Sequence, residues 1–201
     1  MWSATRISAD AASKMQVNAG ILLNTFDVSN PVEPDDTAIV CETTDDFSIT
    51  CVSETVDFFE DVNYEPTNTK EGKRITGWTC GLSITALSIT EETLKLALGA
   101  SEVGEDGGVH PRTQYEIDDF KSLYWIGDMI EEDKLFVVAM DNTVSTGGLS
   151  FTASNDAKGS LGLELTPHAT IDDMDKVPMA FYILTKVEKR NKKEDLKNEN
   201  F

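Results

Sequence analysis

Short runs of alternating apolar and polar residues, separated by turn-forming residues, constrain the fold of this chain more than any other feature. Residues 47–51 (FSITC) alternate strictly, and a period of two puts the apolar side chains on one face of a β-strand. Similar strand-like runs occur at 123–127, 134–140, 148–153, 159–166 and 179–187. Many short strands with one clear helix predict a mainly β protein, an antiparallel β-sandwich or barrel with extended loop and arm.

Two longer β elements are predicted before residue 90. Residues 38–41 and 47–51 have the pattern of a β-hairpin, with Asp45 and Asp46 in its turn. Residues 74–85 have the pattern of one long bent strand, because β-branched and aromatic residues dominate and two glycines interrupt the run.

One short helix is predicted to begin after Thr90. The Thr90 hydroxyl can cap the free backbone N–H groups, and two glutamates follow at the positive end of the helix dipole. Leu94, Ala97 and Leu98 give the helix one apolar side, and Gly99 suits its C-terminal end. A short, one-sided helix of this kind is expected to pack against the sheet.

The chain is predicted to contain one domain with two appended segments. Residues 1–36 are turn-rich, hold one apolar stretch at 20–23 and end in a proline-containing linker, so an arm is expected. The β domain is placed at 37–185. Residues 186–201 carry six basic and four acidic side chains with almost no apolar ones, which predicts a charged tail.

The net charge limits the classes of partner. The chain has 17 basic and 36 acidic residues, a net charge of −19, and −21 remains when the C-terminal segment is excluded. Binding to nucleic-acid phosphates or anionic membranes needs clustered Lys and Arg, so the composition argues against both. No apolar run exceeds six residues, no secretory signal is visible, and the expected compartment is a cytoplasm.

Three cysteines, Cys41, Cys51 and Cys80, lie far apart and form no CxxC pair. An odd number at such spacing favours reduced, structural thiols over a disulfide framework. If the hairpin at 38–51 forms, Cys41 and Cys51 can face each other across it.

No catalytic, cofactor or metal site is predicted, and no enzymatic activity is expected. The two histidines, His110 and His168, have no nucleophile in a recognisable motif, since Ser150 lacks the second glycine of a nucleophile elbow. Residues 172–175 (DDMD) lack the central glycine and distal glutamate of a calcium loop, so a solvated turn is expected there.

The segment 57–74 (DFFEDVNYEPTNTKEGKR) is the candidate functional segment. Acidic and aromatic residues fill its first half and basic residues its end. Aromatic and Arg side chains anchor protein interfaces and complementary charge sets their register, so the segment is either a solvated loop or a hairpin that docks on a neighbouring copy. The candidate contact residues are Asp57, Phe58, Phe59, Glu60, Asp61, Tyr64, Glu65, Lys70, Lys73 and Arg74.

The order of several motifs resembles the major tail tube proteins of long-tailed, siphovirus-like phages and prophages of Gram-positive bacteria. The motifs are GILLNTFD at 20–27, DVNYEPTNTKE at 61–71, GWT at 77–79, the short helix, WIGD at 125–128 and AMDNTVSTGGLS at 139–150. The similarity runs from Gly20 to Leu184.

The resemblance implies a structural subunit whose copies form hexameric rings, which stack into a tube for genome passage during ejection. The loop 57–74 and the arm 1–36 match the segments that bridge subunits and rings in this family. Implied partners are further copies of the chain, tape-measure and tail-initiator proteins, and DNA as a cargo that an acidic lumen repels. The implied location is a virion tail, made in the host cytoplasm.

Two kinds of alternative stay open. A β-sandwich adhesion or carbohydrate-binding module would need an exposed aromatic platform, whereas Trp78 and Trp125 both lie in apolar runs and are expected in the core. A tail terminator or a contractile inner-tube subunit is a closer alternative within virion tails.

Overall fold

The computed structural model describes residues 17–59, 69–130, 133–154 and 157–187. Within these ranges the chain forms one α-helix, α1 (Glu91–Leu98), three short 3-10 turns and ten strands. The strands are β1 (Val17–Leu23), β2 (Ile39–Asp57), β3 (Lys73–Ala86), β4 (Ser101–Val103), β5 (Val109–Pro111), β6 (Lys121–Met129), β7 (Lys134–Ser145), β8 (Ser150–Ser154), β9 (Ala157–Thr166) and β10 (Met179–Thr185).

Eight of these strands form one antiparallel sheet that closes partly on itself. Their order is β10-β7-β6-β1-β2-β3-β9-β8, and the end of β7 also pairs with β9 through Val144↔Thr166 and Ser145↔Leu165. Six strands therefore form a hydrogen-bonded ring, from which β8 and β10 extend. The remaining strands, β4 and β5, form a small separate hairpin. This antiparallel, mainly β architecture with one helix confirms the predicted fold class.

The inside of the ring is an apolar core built around Trp125, whose side chain is fully buried. Two glycines leave the space that the indole ring occupies. A Cβ atom on Gly20 would lie 2.8 Å from Trp125 Cε2, and one on Gly127 would lie 2.7 Å from Trp125 Cη2. The indole Nε1 donates a hydrogen bond to Thr43 Oγ1 (3.1 Å), and that hydroxyl donates to the Gly20 carbonyl (2.9 Å).

A second apolar cluster covers the other face of the sheet at β1, β6 and β7. Its buried members are Leu23, Ile126 and Val137, whereas Leu22 belongs to the core inside the ring. Leu22 and Leu23 are both 0% exposed. Since consecutive residues of a strand point to opposite faces, β1 is covered on both sides.

Helix α1 begins and ends as predicted. Thr90 Oγ1 accepts a hydrogen bond from the Thr93 backbone N–H (3.1 Å), and Thr93 Oγ1 accepts one from the Thr90 N–H (2.8 Å), which completes a capping box. Gly99 follows with φ +71°. The buried residues are Thr93, Leu96 and Ala97, whereas Leu94 and Leu98 of the predicted apolar side are half-buried.

The predicted hairpin at 38–51 is wrong, because β2 runs unbroken from Ile39 to Asp57. Residues 44–46 form an irregularity in that strand: pairing with β3 steps from Thr43↔Ala86 to Phe47↔Ile84, so β2 advances four residues while β3 advances two. The backbone N–H of Asp46 donates to Thr44 Oγ1 (3.3 Å). The polar residues that suggested a turn therefore lie in a β-bulge.

Part of the segment expected to be an arm lies inside the sheet. β1 pairs with β2 on one side and β6 on the other, for example through Leu22↔Cys41 and Leu22↔Trp125. The first sixteen residues of that segment lie outside the described ranges. Of the expected C-terminal tail, only residues 186 and 187 are described, and the Val187 N–H donates to the Pro31 carbonyl (2.9 Å).

Candidate assembly surface

A two-stranded ribbon extends from the sheet and carries the predicted contact segment at its end. β1 pairs with β2 only at residues 39–42, and β9 pairs with β3 only at residues 82–86. Residues 50–57 and 73–81, which we call the ribbon, pair only with each other among the described residues, as far as Asp57↔Lys73. Eight residues at about 3.3 Å each make the ribbon roughly 26 Å long.

The described residues at the end of the ribbon lie around Gly72. The Phe58 N–H donates to the Gly72 carbonyl (2.9 Å), and the Phe59 N–H donates to Asp57 Oδ1 (3.1 Å). A Cβ atom on Gly72 would lie 2.7 Å from Asp57 Oδ1 and 2.8 Å from Phe59 Cδ2, so a larger residue there would displace these side chains. Phe58 packs edge-on against Phe59 at 5.8 Å and is 71% exposed.

The three basic residues of the predicted site lie at the same end. The Arg74 guanidinium donates to the carbonyls of Glu71 (2.9 Å) and Lys73 (3.0 Å), and Lys70 forms an exposed ion pair with Glu71 (3.5 Å). Exposed pairs of this kind contribute little to stability. Lys70, Lys73 and Arg74 are all exposed, and the acidic Glu71 is exposed beside them.

The other four predicted contact residues, Glu60, Asp61, Tyr64 and Glu65, lie outside the described residues. Of the ten candidates, the structure thus brings six together at one ribbon end: Asp57, Phe58, Phe59, Lys70, Lys73 and Arg74.

The ribbon also has exposed apolar side chains that the sequence analysis does not predict as contact residues. Val52, Val56 and Ile75 are exposed, and Trp78 is 42% exposed, so the expectation that Trp78 lies in the core is wrong. Trp78 pairs with Ser53 and Ile75 with Thr55; paired residues share a face, so both apolar side chains lie on one face. The buried core ends near Cys80. β3 extends past the core with further apolar residues, which are therefore exposed.

The root of the ribbon contains two of the three cysteines. Cys51 and Cys80 are paired directly across the strands, with their Sγ atoms 3.4 Å apart. The prediction that Cys41 and Cys51 face each other is therefore wrong, because the hairpin on which it depends does not form.

Two outer strands of the sheet have an open edge within the described ranges. β10 pairs only with β7, and β8 only with β9. β10 has the sequence MAFYILT, without a charge, glycine or proline, and its Phe181 and Ile183 are exposed. A long uncharged edge offers unpaired backbone groups to another strand.

The residues weighed for catalysis have structural partners. His110 Nε2 lies 3.1 Å from Asp106 Oδ1 on the exposed β4–β5 hairpin; the Gly108 N–H and then His110 lower the pKa of Asp106. His168 packs edge-on against Phe120, and its Nδ1 lies 3.3 Å from the Asn142 carbonyl. Among the described residues, no group of three or more His, Cys, Asp or Glu side chains is arranged to hold a metal ion.

In the described parts of the chain, no helix has the length and apolarity needed to cross a membrane.

Comparison with known proteins gives remote structural similarity only. No family model and no curated protein matches the chain. It is similar to a chain in the virion of a native gene transfer agent particle, at 12% identity and a TM-score of 0.37. It is also similar to a chain in the tail of an empty gene transfer agent particle with C6 symmetry, at 12% identity and a TM-score of 0.38. Each alignment covers 81% of this chain and 95% of the other.

Proposed function

We propose that the chain is a structural subunit of a phage tail that assembles with its own copies into stacked, hexameric rings, the tail tube. The observation that carries this proposal is the ribbon. It extends from a closed sheet and exposes apolar side chains that a monomer leaves in water.

A ribbon of this kind needs a covering surface. A two-stranded hairpin alone is marginally stable in water, and burial of one large apolar side chain contributes about 1.5–3 kcal/mol. Phe58, Ile75 and Trp78 would each gain from contact with a second molecule. A ribbon that meets a different surface on the next copy makes a head-to-tail contact, which produces rings or filaments.

Charge complementarity favours another copy of the same chain as the partner. The ribbon end presents Lys70, Lys73 and Arg74, whereas the chain as a whole carries a net charge of −19. Attraction between these basic side chains and an acidic neighbour sets the register of the contact. The open edges of β8 and β10 provide further backbone groups for contacts between copies.

The acidic composition also suits a channel for DNA. Carboxylates on the inner wall would repel phosphates, so the genome would pass without adhering, whereas a basic wall would bind it. In this proposal the other partners are a tape-measure protein and a tail initiator, assembly occurs in the host cytoplasm, and no cofactor or catalysis is involved.

Electron microscopy tests the proposal most directly. Concentrated protein, alone and with its tail initiator, should form hollow tubes. Particles that remain monomeric under both conditions would contradict the proposal.

Charge reversal tests the role of the ribbon end. The variant K70E/K73E/R74E should stay folded, by circular dichroism, and should lose tube growth. A matched variant with the same charge change on the body, K95E/K121E/K176E, should still assemble. Normal tubes from the ribbon variant, or an equal loss of tube growth in both variants, would refute the proposal that the ribbon end docks on a neighbouring copy.

A carbohydrate-binding or adhesion module is the second candidate, and the exposed Trp78 favours it. An exposed aromatic ring can serve as a stacking platform for sugars. A glycan array separates the two functions: binding that W78A abolishes, with no tubes, would support the module, and tubes without glycan binding would support the tail subunit.

A further inference from the structure

Cys51 and Cys80 have the geometry of an unformed cross-strand disulfide. They are direct register partners on antiparallel β2 and β3, and their Sγ atoms are 3.4 Å apart. Direct partners have Cα atoms roughly 4.5–5.5 Å apart, which lies within the span of a disulfide. Only a small movement of the two side chains is needed to bring the sulfurs to bonding distance.

We propose that Cys51 and Cys80 are an oxidative modification site, which forms an intramolecular disulfide when the protein meets a small disulfide oxidant such as oxidised glutathione. The Cys51 thiolate attacks one sulfur of the oxidant, which releases one glutathione and leaves a mixed disulfide. The Cys80 sulfur then attacks Cys51 and releases the second glutathione. The protein loses two thiol protons and two electrons, and the oxidant is reduced to two thiols.

The surroundings of the two sulfurs set this order of attack. Cys51 is half-buried, whereas Cys80 is buried. Burial, followed by the hydrogen bond to Cys51, raises the pKa of Cys80 to about 12, so this thiol is a poor nucleophile toward dissolved oxidants. Its attack on Cys51 is intramolecular, because the two sulfurs already touch.

Cys41 serves as an internal reference. It is buried, and burial together with the nearby charges of Glu42 and Glu92 raises the pKa of its thiol to about 12. It has no cysteine as a register partner among the described residues, where its pairing is with Leu22. We expect Cys41 to stay reduced under conditions that oxidise the other two.

The modification would join the two strands where the ribbon leaves the sheet. The disulfide proposal does not rest on the proposed function, because its test measures thiol oxidation in the unassembled chain. In a reducing cytoplasm the thiols would stay free, and the bridge would form after transfer to an oxidising medium.

The experiment uses the full chain, purified with reductant and then placed in oxidised glutathione. Intact mass should fall by ~2 Da and the thiols titrated after denaturation should fall from three to one, with a peptide map linking residues 51 and 80. C41S should fall from two thiols to none. C51S and C80S should form no internal bridge, and C51S alone suffices if C80S fails to fold. Three persistent thiols, a bridge to Cys41, or a glutathione adduct that never resolves would overturn the proposal.

Discussion

The hydroxyl of Thr43 provides a sharp test of how the core is held together. Thr43 is 1% exposed and Trp125 is fully buried. The Thr43 oxygen accepts from the indole Nε1 at 3.1 Å and donates to the Gly20 carbonyl at 2.9 Å, so it links β2 with β6 and β1. The Gly20 N–H also donates to this oxygen, at 3.3 Å. T43V keeps the shape of the side chain and removes all three hydrogen bonds.

The expected loss of unfolding free energy is about 2–3 kcal/mol. A buried donor without a partner costs about 1–3 kcal/mol, which applies to the indole N–H, and the N–H and carbonyl of Gly20 together add up to about 1 kcal/mol. Thr143 provides the matched control: it is also fully buried, but its hydroxyl has no hydrogen-bond partner among the described residues. T143V should therefore be neutral or stabilising, within about 0.5 kcal/mol.

Urea denaturation followed by circular dichroism measures both variants. In a W125F background the indole donor is gone, so T43V should cost about 1–2 kcal/mol less than it does in the parent chain. Equal losses for T43V and T143V, or an unchanged cost of T43V in W125F, would refute the reasoning.

Three further outcomes are expected. G99A should lose about 1–3 kcal/mol in urea, because Gly99 has φ +71° and a Cβ atom would lie 2.8 Å from the Ser145 carbonyl oxygen; a neutral change would contradict this. The oxidised chain should unfold with about 3–4 kcal/mol more free energy than the reduced one, since the bridge closes a segment of about 30 residues, and added reductant should remove the gain. The Asp106 carboxyl should titrate below the ordinary aspartate range by NMR, because the Gly108 N–H and His110 lower its pKa. Its stabilising contribution is therefore present above pH ~4 and lost on further acidification. G108P removes the larger of the two causes and should raise the pKa of Asp106 toward the ordinary range, with His110 still lowering it.

The sequence correctly predicts the elements that depend on residues close together in the chain. The helix was placed from Thr90 and Gly99, and both residues act at the predicted ends. The alternation of residues 82–86 in β3 gives buried Leu82, Ile84 and Ala86, as a half-buried strand should. Capping and alternation depend on neighbours within a few residues, so no knowledge of the rest of the fold is required.

The errors occur where distant pairing decides the outcome. Polar residues at 44–46 are compatible with a turn or with a bulge, and pairing with β3 makes them a bulge. Trp78 lies in an apolar strand pattern, but the sequence does not show that the sheet ends before it. Charge and aromatic content in one stretch predict the candidate surface, whereas the exposed residues along the ribbon can be recognised only from the length of the ribbon.

The position of β1 has a consequence for folding kinetics. β1 lies between β2 and β6, and Leu22 pairs with Trp125, about one hundred residues later in the chain. The six-stranded ring therefore closes only after β9 has been synthesised, and β1 pairs with β2 alone until β6 has been synthesised. Contacts of such sequence separation slow folding toward the millisecond-to-second range. A nascent chain thus carries an open sheet edge at β1 from the synthesis of β2 until that of β6.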